Sequence, residues 1–171
     1  MRKVLVIGSG GAGKTTFANR LGEIVKLEVI HLDSVYWNPG WVETPKEAWL
    51  TRVAELLRRD SWVMDGNYSG TLDLRLQACD TVVFLDMAPP VCLWRVLKRM
   101  VLYWHRSRPD MAAGCPEQFS PKFIYWIMWH YPKSSRPKII KMLRENSAGK
   151  EVVWLRSHTD VEKYLAGVGN A

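Results

Sequence analysis

No apolar run in this chain reaches the length needed to cross a bilayer, so no membrane-spanning helix and no membrane partner are expected. Cysteine is scarce. Cys79, Cys92 and Cys115 are odd in number and show no metal-type spacing, and a reduced cytoplasmic compartment fits them. The opening MRKVLVIGSG has the basic-then-apolar look of a secretory signal, but its apolar run is short and ends in a glycine loop, so that reading is rejected. Internal repeats, low-complexity tracts and linkers are missing. The 171 residues are therefore expected to form one domain, 1–171, long enough to bury a proper core. Acids are scarce in one place only. From Arg95 to Arg144 eleven Lys or Arg stand against two acids, Asp110 and Glu117. Net charge is +7, so this stretch at +9 leaves the remainder at −2. Such a segment is a solvated basic surface, a nucleic-acid surface or a site for nucleotide phosphates.

What is present reads as alternating strands and helices. Strands are expected at 3–7, 28–32, 61–65, 81–86 and 151–155, all short and rich in β-branched or apolar residues. Helices are expected at 15–26, 45–59, 71–78, 89–103, 117–131, 136–146 and 159–166. Thr44 would cap the second of these, with Pro45 in its first turn. Residues 34–45 contain Asn38-Pro39-Gly40 without periodicity and read as a loop. The order implies an α/β fold, a five-stranded parallel sheet with helices on both faces.

The strongest motif lies between the first strand and the first helix. Gly8, Ser9, Gly10, Gly11, Ala12, Gly13, Lys14, Thr15 and Thr16 match GxxxxGK[ST]. Glycines let the chain curl so that backbone N–H groups point at phosphate oxygens. Lys14 reaches the β- and γ-phosphates, the Thr15 hydroxyl ligates Mg²⁺, and the helix start adds a positive dipole end. The expected ligands are thus ATP and Mg²⁺. A GTPase would carry an Asn-Lys-x-Asp element, and none is present. A motor would need more apparatus than this length allows.

Asp33, Asp65 and Asp86 stand at the ends of expected parallel strands, on the edge that carries the phosphate loop. A carboxylate there can support Mg²⁺, as Asp33 or Asp65 would beside Thr15, or accept a proton from an attacking hydroxyl. Alternatively it caps a helix or a loop. Tyr36, Trp37, Trp41, Asn67 and Tyr68 lie in loops at the same edge and are candidates for binding the phosphoryl acceptor. FIYWIMWHY at 123–131 is either a base-stacking face or a helix packed on the sheet.

GSGGAGKT after a strand, DGNY at 65–68 and FLDMAPPVCLWRVLKRM at 84–100 together resemble the nucleoside monophosphate kinase group, adenylate kinase in particular. More narrowly, VIHLD at 29–33, the pairs Tyr36-Trp37 and Gly40-Trp41, DGNYSGTLDLRL at 65–76, SRPDMAAGCPE at 107–117 and YPKSSRPKI at 131–139 resemble the adenylate kinase-related bacterial group labelled "DNA topology modulation protein". The resemblance spans nearly the whole chain. It implies a P-loop kinase with an acceptor-binding insertion at 34–60 and a short lid at 104–116. Arg95 and Arg99 match the arginine pair before the lid, and residues four apart share a helix face. Arg106 and Arg108 fall in the lid, and Arg136 follows the next helix. All five would neutralise the transferring group. Where adenylate kinases continue Asp-Gly with Phe-Pro-Arg, this chain has Asn67-Tyr68-Ser69. Arg75, further on, stands in reserve for the missing acceptor-binding arginine. The expected reaction is transfer of the γ-phosphoryl group of ATP·Mg to a small acceptor, with Asp33 or Asp65 as base if that acceptor is a hydroxyl. The group's label implies a second reading, an ATP-dependent DNA-binding protein.

Overall fold

The structure, a computed structural model, describes residues 1–106 and 110–170. The strands are β1 (Lys3–Gly8), β2 (Val29–His31), β3 (Trp37–Asn38), β4 (Val42–Glu43), β5 (Trp62–Asp65), β6 (Thr81–Leu85) and β7 (Glu151–Leu155). The helices are α1 (Lys14–Val25), α2 (Leu32–Tyr36), α3 (Lys46–Leu57), α4 (Leu72–Ala78), α5 (Pro89–Leu102), α6 (Pro121–Tyr125), α7 (Arg136–Glu145) and α8 (His158–Gly169). Five strands form one parallel sheet in the order β2-β5-β1-β6-β7, and β3 and β4 form a separate antiparallel pair. This is the P-loop NTPase architecture the alternation predicts.

Side-chain alternation along each strand sorts the core into two layers. Val4, Val6, Val63, Val83 and Leu85 pack with Phe17 and Leu21 of α1, Val96 of α5 and Leu165 of α8. Leu5, Ile7, Met64, Val82 and Phe84 pack on the opposite face with Val53 of α3, Leu76 of α4 and Leu143 of α7. Strand β1 lies in the middle, with β5 on one side and β6 on the other. The strand order reverses beside it, which opens a crevice at the carboxyl edge, where open α/β sheets bind ligands.

Four local expectations change. The second strand stops at His31, and Asp33 lies in the first turn of α2 rather than at a strand end. Leu32 tucks fully buried beneath Gly66, and Ser34 Oγ donates to the His31 carbonyl at 2.7 Å, so the chain turns early. The stretch expected as a plain loop holds the β3–β4 hairpin, turned through Gly40 and Trp41 at φ 79° and 61°. Thr44 does not cap α3; its buried hydroxyl donates to the Tyr36 carbonyl and closes the base of the hairpin. Finally, one helical path runs from α6 to α7 through a π-helical stretch, Trp126–Ser135. Pro132 lies inside it, and the wider turn accommodates a residue that has no N–H to give.

Candidate active site

The phosphate loop connects β1 to α1 and needs its glycines for shape. Gly11 has φ +78°, and a Cβ there would collide with the Cys92 carbonyl of α5. Gly13 has φ +96° at the start of α1, close under the Arg95 guanidinium. Lys14 Nζ donates to the Ser9 carbonyl at 3.0 Å. Burial lowers the pKa of Lys14, while the charges of Asp33 and Asp65 oppose that shift. Asn67 Oδ1 accepts from the Gly8 N–H at 3.3 Å and ties the loop to the segment after β5.

Thr15 faces two carboxylates. Its Oγ1 lies 3.0 Å from Asp65 Oδ2 and 3.2 Å from Asp110 Oδ2. Asp65 is buried at the end of β5, and its other oxygen meets His31 Nδ1 at 2.9 Å. His31 Nε2 lies 3.0 Å from Asn19 Oδ1. The hydrogen bond to Asp65 raises the pKa of His31 despite partial burial, so its protonated form is favoured here. Of the two carboxylates expected to support Thr15, Asp33 or Asp65, it is Asp65 that lies beside its hydroxyl, joined by Asp110, while Asp33 sits on α2 and accepts from the Tyr68 hydroxyl at 2.6 Å. Burial, then the Asp33 charge, raise the Tyr68 pKa, so the phenol stays a donor. No cluster of three His, Cys, Asp or Glu among the described residues makes a metal cage. Mg²⁺ does not require one: it keeps several waters and takes one or two protein ligands beside substrate phosphates. A Thr15 hydroxyl backed by a buried carboxylate fits that pattern.

These groups open into one cleft of about 1230 Å³. Lys14, Arg20, Arg95 and Arg99 enter its lining from the phosphate loop, α1 and α5, and Asp33, Trp37, Trp41, Glu43, Asn67 and Tyr68 enter it from α2, the β3–β4 hairpin and the turn after β5. Arg95 donates to the Ala12 carbonyl at 2.9 Å, and Arg99 donates to Glu117 Oε1 at 2.9 and 3.2 Å. Tyr36 stands one layer back, with its ring 5.0 Å from Trp37 and Trp49 and 4.6 Å from Tyr68. Phe123 and Trp126 stack near-parallel at 6.0 Å and line the cleft near Gly10, whereas Ile127 and Tyr131 enter the core and Tyr125 and Trp129 stay exposed. The aromatic run thus sends Phe123 and Trp126 to the cleft and Ile127 and Tyr131 to the core.

Two arginines stand elsewhere than expected. Arg75 is fully buried and donates to the Gly66, Tyr68 and Thr71 carbonyls at 2.8, 2.7 and 3.3 Å, and so holds the turn after β5 from behind rather than facing the cleft. Burial lowers its pKa to about 10. Arg136 forms a two-bond pair with Asp86, each bond 2.7 Å, outside the residues lining the cleft. Asp86 is thereby committed to joining β6 to α7. Arg106 is exposed and also outside that lining; Arg108 lies outside the described residues.

The end of the expected lid is fastened to the β3–β4 hairpin. Gly40 N–H donates to the Gly114 carbonyl at 2.8 Å, Trp41 Nε1 to Pro116 at 3.0 Å, and Cys115 Sγ to Asn38 at 3.2 Å. Sequence reasoning missed Glu43, Asp110 and Glu117 as members of the cleft. The last two are the only acids in a strongly basic stretch, and that isolation was the available signal.

Neither a protein-family model nor a curated protein sequence matches the chain. Its fold, however, is similar to that of solved kinases. A shikimate kinase from Acinetobacter baumannii in complex with shikimate aligns with TM-score 0.57 at 16% identity, covering 98% of this chain and 90% of that one. A putative kinase from Chloroflexus aurantiacus aligns with TM-score 0.55 at 14% identity, covering 99% and 98%. At such low identity the likeness concerns the fold: this chain carries the P-loop NTPase fold on which those kinases are built.

Proposed function

We propose that the chain is an ATP·Mg-dependent kinase that phosphorylates the hydroxyl group of a small molecule. The observation that carries this reading is the division of labour between two aspartates in one cleft. Asp65 is buried against Thr15 and His31, which suits metal support. Asp33 lines the same cleft from α2 and accepts from a phenol among its described hydrogen-bond partners, which suits a base. Kinases of this fold, one of them crystallised with the small molecule shikimate, support the same reading.

In this reaction the acceptor oxygen attacks the γ-phosphorus and the bond from phosphorus to the β–γ bridging oxygen breaks. ADP leaves with that electron pair, and the hydroxyl proton passes to Asp33. Lys14 and the loop amides hold the β- and γ-phosphates. Thr15, with Asp65 behind it, would hold Mg²⁺, which when bound would supply charge neutralisation to the phosphates. Arg95 and Arg99 stand on the donor wall, where charge develops on the transferring group. Gly114, Cys115 and Pro116, joined to the hairpin, anchor the end of the segment expected to be the lid that excludes water. The missing arginine after Asp65-Gly66 and the burial of Arg75 argue against a nucleoside monophosphate as acceptor.

The test is ADP formation from ATP·Mg across a panel of acceptors, with Lys14→Ala to subtract contaminating kinases. Acceptor-dependent turnover well above that variant is the expected result. Turnover stimulated by duplex DNA and by no small acceptor would replace this reading with a DNA-linked one.

A further inference from the structure

Resting on the kinase reading, the acceptor wall narrows the chemistry of what is phosphorylated. We propose that the acceptor is a polyhydroxylated ring carrying no anionic group, an uncharged or amine-bearing sugar or cyclitol, seated against Trp37 and Trp41 with one hydroxyl directed at Asp33.

The first argument is charge. Two carboxylates, Asp33 and Glu43, line the cleft from α2 and the β3–β4 hairpin, and among the described residues these elements and the turn after β5 send no Lys or Arg into its lining. The cations that could have served are committed elsewhere. Arg75 is fully buried on three backbone carbonyls. Arg52 donates to the Val35 carbonyl at 2.9 Å and to Thr44 Oγ1 at 3.1 Å. The lining cations Lys14, Arg20, Arg95 and Arg99 all belong to the phosphate loop, α1 and α5. A phosphate or carboxylate seated between Asp33 and Glu43 would meet like charge, whereas hydroxyls find acceptors in Asp33, Glu43 and Asn67 Oδ1.

The second argument is shape. The two indoles stand edge to face, 5.3 Å between centroids and 72° between planes. Each is locked from behind, Trp37 by Tyr36 and Trp41 by its Nε1 bond to Pro116. Fixed aromatic faces beside carboxylates offer an apolar platform for the C–H face of a saturated ring, and they attract an ammonium group by cation–π interaction. Glu43 stands directly across the hairpin from Trp37, so platform and charge come from one cross-strand pair.

The experiment uses matched acceptors that differ in charge alone: a neutral hexose and a cyclitol, the corresponding amino sugar, the corresponding sugar acid and the sugar phosphate. ADP formation is read with wild type, Lys14→Ala and Glu43→Gln. Ligand-observed NMR with a non-hydrolysable ATP analogue and Mg²⁺ reads binding of the same set. The expected result is neutral or amine-bearing acceptors used at least tenfold better than their acidic counterparts. Glu43→Gln should narrow that gap several-fold through KM with little change in kcat. Better use of the acid or phosphate than of its neutral counterpart would overturn the charge inference and leave the kinase standing. A preference unchanged in Glu43→Gln would remove Glu43 as its source and so also overturn the inference. If no member binds or stimulates turnover while another class of small acceptor does, this inference falls and the kinase reading stands; if no small acceptor of any class stimulates turnover, both fall.

Discussion

The two walls of the cleft are made of opposite materials. The donor wall is one contiguous loop of glycines and backbone amides, with cations from α1 and α5. The proposed acceptor wall is assembled from α2, the small hairpin and the turn after β5, and presents carboxylates and aromatic rings. The first is general chemistry, since every nucleoside triphosphate carries the same phosphates. The second is specific, because only the acceptor's own shape and charge decide what must face it. Function is therefore legible on one wall from a nine-residue run, while the other wall has to be read from contacts between segments far apart in sequence.

Breaking the donor wall should give the largest effect. Lys14→Ala is expected to reduce acceptor-dependent kcat/KM by at least ~10³-fold, roughly 4 kcal/mol of transition-state stabilisation, as measured by ADP release. Retained activity would mean that the loop does not bind the transferring phosphates. Removing the proposed base comes next. Asp33→Asn should lower kcat by about 10²- to 10⁴-fold with ATP affinity unchanged in calorimetry. A loss confined to ATP affinity would move Asp33 from the acceptor to the metal.

Arg75 sharpens the comparison by supporting the acceptor wall without facing it. Arg75→Met leaves buried carbonyls at Gly66 and Tyr68 unpaired and should cost about 2–4 kcal/mol of stability, visible as a lower Tm. An unchanged Tm with a raised acceptor KM would instead give the guanidinium a direct contact with substrate.

The smallest effect concerns pH. The folded-state pKa of His31 is raised, first by its hydrogen bond to Asp65, so its contribution to stability is complete below the unfolded value, about 6.5, and is lost as pH rises through the folded value. The Tm difference between wild type and His31→Gln should therefore be larger at pH 6 than at pH 8.5. A difference that is flat or grows with pH would show that the imidazole is not held protonated by Asp65.

Five strands, the phosphate loop and α5 with its two opening prolines were legible because each announces itself locally, through β-branched runs, glycine spacing or proline position. Three features were not. The hairpin at 37–43 has strands of two residues, too short for any period to register. Thr44 looks like a helix cap in sequence, and only the nearby Tyr36 carbonyl draws its hydroxyl away. Arg136 reads as a free cation after a helix, until Asp86, fifty residues earlier, claims it with two bonds.

Strand alternation, helix periodicity and the glycine-lysine-threonine spacing settled the class of fold and the phosphate-binding edge, because those signals act between residues a few positions apart. Which aspartate meets Thr15 and which meets Tyr68 was decided in three dimensions. Both follow apolar runs and look alike in sequence. The buried end of β5 brings Asp65 against Thr15 and His31, while the early turn at Leu32 carries Asp33 across to Tyr68. A carboxylate's role depends on what surrounds it, and here those surroundings come from segments that meet only when the sheet has formed.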